Sequence, residues 1–284
     1  MPKAVLWPKQ TSFPDSGAAP RTGLGRADHD LRHTGPGRPM ISLTGRLVRR
    51  FERLTPLSPA DIQALEAAAS TVRWFDSRDT LVKQGDPADR IFVILDGFAC
   101  RHKLLPDGRR QILSYLLPGD MCDPRTFVLP QMDHSVAALC PVEAAILSEE
   151  NVRRLERQPA LAEAMAWNAL SHQSIMREWL INVGNRTSFE RISHLFCEIF
   201  TRLEVVGLTS ENACELPLTQ TELADTLALS SVHVNRTLME LRRSGLVTFQ
   251  SRHLVIHDVP ALRAAAGFDP AYLHLDGARA IAAA

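Results

Sequence analysis

Apolar residues along this chain change their spacing several times, and each change marks an element. Leu47, Phe51 and Leu54 recur at helical intervals, and Ser58-Pro59 opens a second helix carrying Ile62, Leu65 and Ala69. From Val72 the helical period gives way to short extended runs. These are Asp79–Val82, Ile91–Leu95, Gln111–Leu117, Ser135–Leu139 and Val142–Ile146, separated by Gly85-Asp86, Asp96-Gly97, Pro106-Asp107-Gly108 and Pro118-Gly119-Asp120. Many short strands with turn residues every eight to twelve positions predict an antiparallel barrel or sandwich.

Helical spacing then returns. Ser148 to Arg157 reads as a short polar helix, and Pro159 opens a long one that runs to about Val183. Its residues Ala162, Met165, Ala169, His172, Met176, Trp179 and Val183 alternate by three and four, the spacing of a heptad seam that would meet a twin helix in a homodimer. Leu161, Leu170, Leu180 and Ile181 supply a second face for the barrel, and His172 is expected to be a hydrogen-bonded structural histidine. Thr187-Ser188-Phe189-Glu190 fits a capping box, so another helix starts there and carries Ile192, Leu195, Phe196, Ile199 and Leu203 inward. Gly184-Asn185-Arg186 is the expected hinge.

Near the C-terminus two helix starts follow each other closely. Thr219 and Glu222 fit a capping box with Leu218 and Leu223 as its staple, and Ser230 can cap the next helix with Leu229 and Val234. Two helices joined by so short a turn form a helix-turn-helix, whose second helix enters the DNA major groove. On that helix Val234, Leu238 and Leu241 fall on one side; Ser231, Val232, Asn235, Arg236, Met239 and Arg243 fall on the other. Arginine can pair bidentately with guanine, asparagine with adenine, and an apolar group can touch the thymine methyl. An ordinary two-helix corner with a solvated face would show a similar pattern, but the segment after the second helix favours DNA. Gly245 ends the helix, and Val247–Phe249, a polar turn through Arg252 and His253, and Leu254–Ile256 read as a hairpin, hence a winged helix with a basic tip.

Composition narrows the partners. The 284 residues include 32 Lys+Arg and 32 Asp+Glu, so any nucleic-acid footprint must be local. Five cysteines without a Cys-x-x-Cys pair suit a reducing cytosol and supply no zinc set. No apolar run reaches bilayer length and no signal peptide is evident, so a cytoplasmic protein without membrane contact is expected. Residues 1–41, rich in Pro, Gly, Arg and Ser, read as a disordered tail in which His29, Asp30 and His33 are solvated; Met40 is a candidate alternative start. The chain carries no nucleophile elbow, P-loop or dinucleotide fingerprint, which argues against an enzyme.

A strand-rich half, a seam helix, a hinge and a winged helix, in that order, resemble the Crp/Fnr family of bacterial transcription regulators. The likeness spans about residues 43–276. It rests on Thr-x-x-Glu-Leu-Ala from Thr219, Leu-Ser-x-x-x-Val-x-Arg-x-Leu from Leu229, Leu-Arg-x-x-Gly-Leu from Leu241, and Gly85, Leu95-x-Gly97 and Pro118-Gly119-Asp120. Ala228 stands where many members have Gly. The resemblance implies an α+β fold: residues 42–150 a cyclic-nucleotide-binding-like antiparallel β-barrel of jelly-roll type, 151–186 the dimerisation helix and hinge, 187–262 a winged helix-turn-helix, and 263–284 a C-terminal tail. It implies a homodimer on a palindromic operator, with double-stranded DNA and RNA polymerase as partners. The DNA contacts carried over are Ser231, Val232, His233, Asn235, Arg236, Arg243 and Arg252, with Arg236 in the slot of the specificity arginine.

Members that bind cyclic AMP hold the ribose with a Glu after Gly-Asp and the phosphate with an Arg followed by Ser or Thr. Here the matching positions are Asp123 and Pro124, then His134 and Ser135, with Met176 and Arg177 in the purine slots. A buried phosphate needs a matched donor fork, which His134 beside Asp133 does not offer. The sensory half is therefore expected to have lost cyclic-AMP binding and to carry no cofactor. A cyclic-nucleotide-, haem- or redox-responsive regulator, with Cys100, His102, Cys122, His134 or Cys140 as ligands or thiols, is the alternative. So is a module whose winged helix contacts protein.

Overall fold

The structure is a computed structural model that describes residues 45–275. The expected tail at residues 1–41 and the start at Met40 lie outside the described residues, as do residues 276–284.

The sensory half is built on two antiparallel sheets. One orders β1 (Val72–Phe75), β7 (Val142–Ser148) and β3 (Arg90–Asp96); the other orders β2 (Thr80–Val82), β6 (Ser135–Ala138), β4 (Ala99–Leu104) and β5 (Arg110–Leu116). Val82, Phe92, Ile94, Ala99, Leu116, Val136, Val142 and Ala144 form one apolar cluster, so the sheets pack face to face in the double-sheet form of the expected jelly roll. Strand β4 was not legible in the sequence. Its first four residues, Ala99 to His102, are all buried, so the half-buried alternation that announces a strand is missing. Two turn glycines sit where nothing larger fits. A Cβ at Gly97 (φ 78°) would lie 2.2 Å from the Pro141 carbonyl oxygen, and one at Gly119 (φ 92°) 2.9 Å from that of Arg46.

Helices close the sandwich. α1 (Gly45–Glu52) buries Leu47, Val48 and Phe51, and α2 (Pro59–Ala68) begins at a Ser58–Asp61 capping box. After α3 (Glu149–Leu155) comes α4 (Pro159–Asn185), 27 residues long. α5 (Ser188–Val205) starts at the expected Thr187–Glu190 box and turns Ile192, Leu195, Phe196, Ile199 and Leu203 inward. The winged helix follows: α6 (Gln220–Leu227), α7 (Ser231–Arg243), β10 (Val247–Gln250) and β11 (His253–Ile256). Two short strands that the sequence did not disclose, β8 (Thr209–Ser210) and β9 (Ala213–Glu215), extend the wing sheet in the order β10-β11-β9-β8.

Residues from 263 onward were expected to form a tail, and the structure corrects this as far as 275. α8 (Val259–Ala266) and a 3-10 turn at Pro270–Leu273 pack on the rest, burying Leu262, Ala266, Phe268 and Leu273. Tyr272 Oη donates to Glu198 at 2.9 Å, and His274 Nε2 pairs with Ser174 Oγ at 3.0 Å. The alanine-rich stretch gave no periodic signal because alanine reads the same on either face of a helix.

Both halves share one core. Cys100, Ile112, Tyr115 and Leu117 from the sheets join Ile175 and Trp179 from α4, and Ile192, Phe196, Leu223, Val234 and Leu254 from the DNA-binding half.

Candidate nucleic-acid interface and sensory pocket

The recognition helix separates its faces as the sequence predicts. Val234 and Leu241 are fully buried and Leu238 is half-buried, while Ser231, Val232, Asn235, Arg236, Met239 and Arg243 line one shallow exposed concavity. Val232 is 79% exposed and Met239 48%, an apolar display that stability alone does not require. The Ser230 hydroxyl accepts from His233 N at 3.2 Å and also meets His233 Nδ1 at 2.9 Å, so His233 is engaged in the cap and flanks the face. Asn235 Nδ2 donates to Gln220 Oε1 at 3.3 Å. Gln220, the first residue of α6, thus joins the interface. Its only sequence signal was its place beside the Thr219 cap. Arg236 and Arg243 are exposed and have no ion-pair partner among the described residues.

The turn before this helix holds Ala228 in the left-handed region at φ 52°. A small side chain tolerates this at a cost of roughly 1–2 kcal/mol relative to the right-handed region, which explains why glycine is the easier residue there. In the wing, Ser251 (φ 52°) and Arg252 (φ 62°) form a two-residue hairpin turn with both residues left-handed, which places the Arg252 side chain at an exposed tip.

α6 is docked on the sensory sheet. Arg110 Nε donates to Asp225 Oδ2 at 2.8 Å, Gln111 Nε2 to the Thr226 carbonyl at 3.3 Å, and the Tyr115 hydroxyl is hydrogen-bonded to Thr226 Oγ1. Nearby, Asp120 of the Pro-Gly-Asp turn is fully buried between Arg50 (3.2 Å) and Arg202 (2.6 Å). Burial would raise its carboxyl pKa, but Arg50 and Arg202 outweigh this and hold it well below the usual range. Arg202 Nη1 also reaches Glu198, which accepts from Trp179 Nε1 at 2.9 Å. The expected hinge at residues 184–186 is therefore flanked by a buried polar network that ties α4 and α5 to the sensory turn. His172 lies 3.7 Å from Asp120; burial lowers its pKa to about 4, so it is neutral.

The sensory pocket gathers some of the expected residues and excludes others. His134 Nε2 lies 3.2 Å from Asp123 Oδ2, and its Nδ1 pairs with Asp133 at 2.7 Å; Pro124 is buried beside them. Ser135 turns away, its hydroxyl accepting from Gln84 N at 2.9 Å. Met176 and Arg177 are corrected: both are exposed, Arg177 Nη2 donating to Ser174 Oγ at 2.8 Å, and α4 instead presents Asn168 and His172 to the Met121–Asp120 turn. The missed residue is Arg101. Its Nε donates to Asp123 Oδ2 at 3.0 Å and its Nη1 to Ser114 Oγ at 2.9 Å.

All five cysteines are buried. Burial pushes the Cys100, Cys197 and Cys214 thiols up to about 12 and raises those of Cys122 and Cys140. Protonated buried thiols give no support to redox sensing. Among the described residues no group of three or more His, Cys, Asp or Glu is placed to hold a metal ion.

The seam on α4 is also corrected. Met165 and Trp179 are buried in the chain's own core and His172 faces Asp120, so three of the seven expected positions point inward. The outward apolar residues are Leu170 (53% exposed), Met176, Leu180 (72%) and Ile181. The helix is apolar on two sides, and spacing alone does not tell which side meets the sheets.

Comparison with known proteins agrees with this geometry. Residues 72–158 match the model of the cyclic nucleotide-binding domain, and residues 190–265 that of the Crp-like helix-turn-helix domain. The chain is 26% identical over 204 residues to the transcriptional activator protein FnrL of Cereibacter sphaeroides, covering 69% of this chain and 81% of that protein. It is 28% identical to the transcriptional activatory protein AadR of Rhodopseudomonas palustris, covering 67% and 79%. It also resembles the nitrogen fixation regulation protein FixK of Bradyrhizobium diazoefficiens at 26% identity, covering 70% and 83%. Among solved structures it shares the fold of FixK2 from Bradyrhizobium japonicum, with a TM-score of 0.60 and 22% identity, covering 68% of this chain and 96% of that one. A sheet sandwich matching the cyclic nucleotide-binding domain, followed by a Crp-like helix-turn-helix and accompanied by these relatives, establishes that the chain belongs to the Crp/Fnr family of transcription regulators.

Proposed function

We propose that the protein is a homodimeric, sequence-specific transcription regulator of the cytoplasm that binds a palindromic operator and acts without cyclic AMP. One observation carries the DNA reading: α7 buries Val234 and Leu241 while leaving Ser231, Val232, Asn235 and Arg236 on one open face. Arg236 would pair with guanine, Asn235 with adenine, and Val232 would touch a thymine methyl, with Arg243 and Arg252 on phosphates. Dimerisation is supported by the outward stripe Leu170, Met176, Leu180 and Ile181 on α4, which leaves a row of large apolar side chains uncovered in a single chain. A twofold pair of recognition helices reads half-sites about one helical turn apart. Relatives named as activators suggest contact with RNA polymerase and positive regulation. Among the described residues no helix is long and apolar enough to cross a membrane.

Loss of cyclic-AMP binding is supported by the pocket, where His134 is paired with carboxylates and Met176 and Arg177 face outward. Selection from a randomised duplex library tests the function: enrichment of an inverted repeat by the wild type, and its loss with Arg236→Ala, is the expected outcome. Recovery of no shared sequence would defeat the reading.

A further inference from the structure

The buried Arg101 of the sensory half already receives an anion from the chain itself. The Arg101 side chain on β4 is only 7% exposed, and its Nε donates to Asp123 Oδ2 at 3.0 Å. The same oxygen accepts from Cys122 Sγ at 3.1 Å and lies 3.2 Å from His134 Nε2. A single carboxylate oxygen thus gathers a guanidinium, a thiol and an imidazole, all within the segment that matches the cyclic nucleotide-binding domain.

One observation shows that the cradle is larger than the carboxylate in it. Arg101 Nη2, the second prong of the guanidinium edge that holds Asp123 through Nε, is buried with no hydrogen-bond partner. Arginine meets an oxyanion best with both prongs, so Asp123 half-fills the edge that a free oxyanion would fill completely. Asp123 also reaches this position from a left-handed backbone at φ 45°, a conformation that a non-glycine residue holds only at a cost. Its side chain is 33% exposed, whereas that of Arg101 is 7% exposed.

We propose that Asp123 is a built-in anion: its carboxylate occupies the place at which Arg101 and His134 would otherwise hold a free oxyanion, and it closes the sensory pocket to phosphate-bearing ligands. This rests on the reading that the sensory half does not take cyclic AMP, and it gives that loss a cause. The electrostatics are simple. With Asp123 in place the buried guanidinium is compensated; without it the charge is left uncompensated, and a diffusible oxyanion becomes the available counter-charge.

The test uses the full chain and inorganic phosphate as the probe, read by thermal denaturation and calorimetric titration at constant ionic strength. Asp123→Ala should unfold at a lower temperature than wild type in phosphate-free buffer. It should regain stability with added phosphate in a saturable way, since a ligand that binds only the folded state raises its stability. Phosphate should bind it at least tenfold more tightly than wild type. The double variant Arg101→Met/Asp123→Ala should not respond. Should Asp123→Ala fail to fold without anion, Asp123→Asn keeps the shape and an acceptor while removing the charge, and the same gain is expected of it. A folded Asp123 variant that is insensitive to phosphate, or a double variant that responds equally, overturns the proposal and leaves the cyclic-AMP reading standing. Saturable binding of cyclic AMP by the wild type defeats that reading instead, whatever the variants do.

Discussion

Arginine serves opposite ends in the two halves of this chain. On α7, Arg236 and Arg243 stand exposed and unpaired among the described residues, free to take charge from outside. In the sensory half, Arg101 is buried and neutralised by Asp123, and at the junction Arg50 of α1 and Arg202 of α5 are buried around Asp120. A solvated arginine lends little to stability and is available for recognition; a buried one is committed, because removing its partner strands a charge in low dielectric. The DNA-binding half therefore presents a surface to be satisfied by a ligand. In the sensory half and at its junction these buried arginines are paired with carboxylates of the chain itself.

The sharpest way to break this contrast is at the junction. Arg202→Met removes a cation shared by Asp120 and Glu198, and should lower stability by about 3–5 kcal/mol in urea denaturation. Arg243→Ala, by contrast, should leave stability within about 0.5 kcal/mol. If both variants denature alike, the buried network does not hold the halves together. On the recognition face the readout reverses: Arg236→Ala should weaken binding to the selected operator by about 1–3 kcal/mol, relax one guanine position, and leave the unfolding midpoint unchanged.

Acid sharpens the same comparison. Burial depresses the pKa of His172 to about 4 and that of His194 to about 3, so both are neutral in the fold, whereas the unfolded chain takes up protons near the ordinary value of about 6.5. Stability should fall as pH drops below about 6.5, by on the order of 1 kcal/mol per pH unit for each histidine. His134 works in the opposite sense: Asp123 and Asp133 outweigh burial and raise its pKa, so its contribution is present at low pH and lost as pH rises through the folded value. Denaturation at pH about 7 and about 5 should show a net loss at the lower value, reduced in His194→Gln. The smallest effect is local. Ala228→Gly relieves a left-handed alanine and should add about 0.5–1 kcal/mol without altering DNA affinity.

How much the sequence disclosed depends on how local each signal is. The Thr187–Glu190 and Thr219–Glu222 boxes and the Ser230 cap are interactions between residues three apart, and each formed as expected. The two faces of α7 were legible because Val234, Leu238 and Leu241 recur on one side while the polar residues Ser231, Asn235, Arg236 and Arg243 gather on the other. Arg101 was not, since β4 is buried on both sides at its start and a charged residue there looks like any surface strand residue until Asp123 is brought 22 positions back to meet it. The seam of α4 was misassigned for the same kind of reason: both faces are apolar, and only the packing of Met165 and Trp179 decides between them. The network around Asp120 joins α1, α4 and α5, a coincidence in space that no spacing in the chain encodes.

The central claim is that the open face of α7 reads DNA while the sensory pocket is closed by the chain's own carboxylate. Its most direct test is the affinity of the wild-type protein for its selected operator, measured by fluorescence anisotropy at fixed salt with and without cyclic AMP. The account predicts specific binding whose Kd is the same in both conditions. A Kd that tightens tenfold or more on adding cyclic AMP would contradict it.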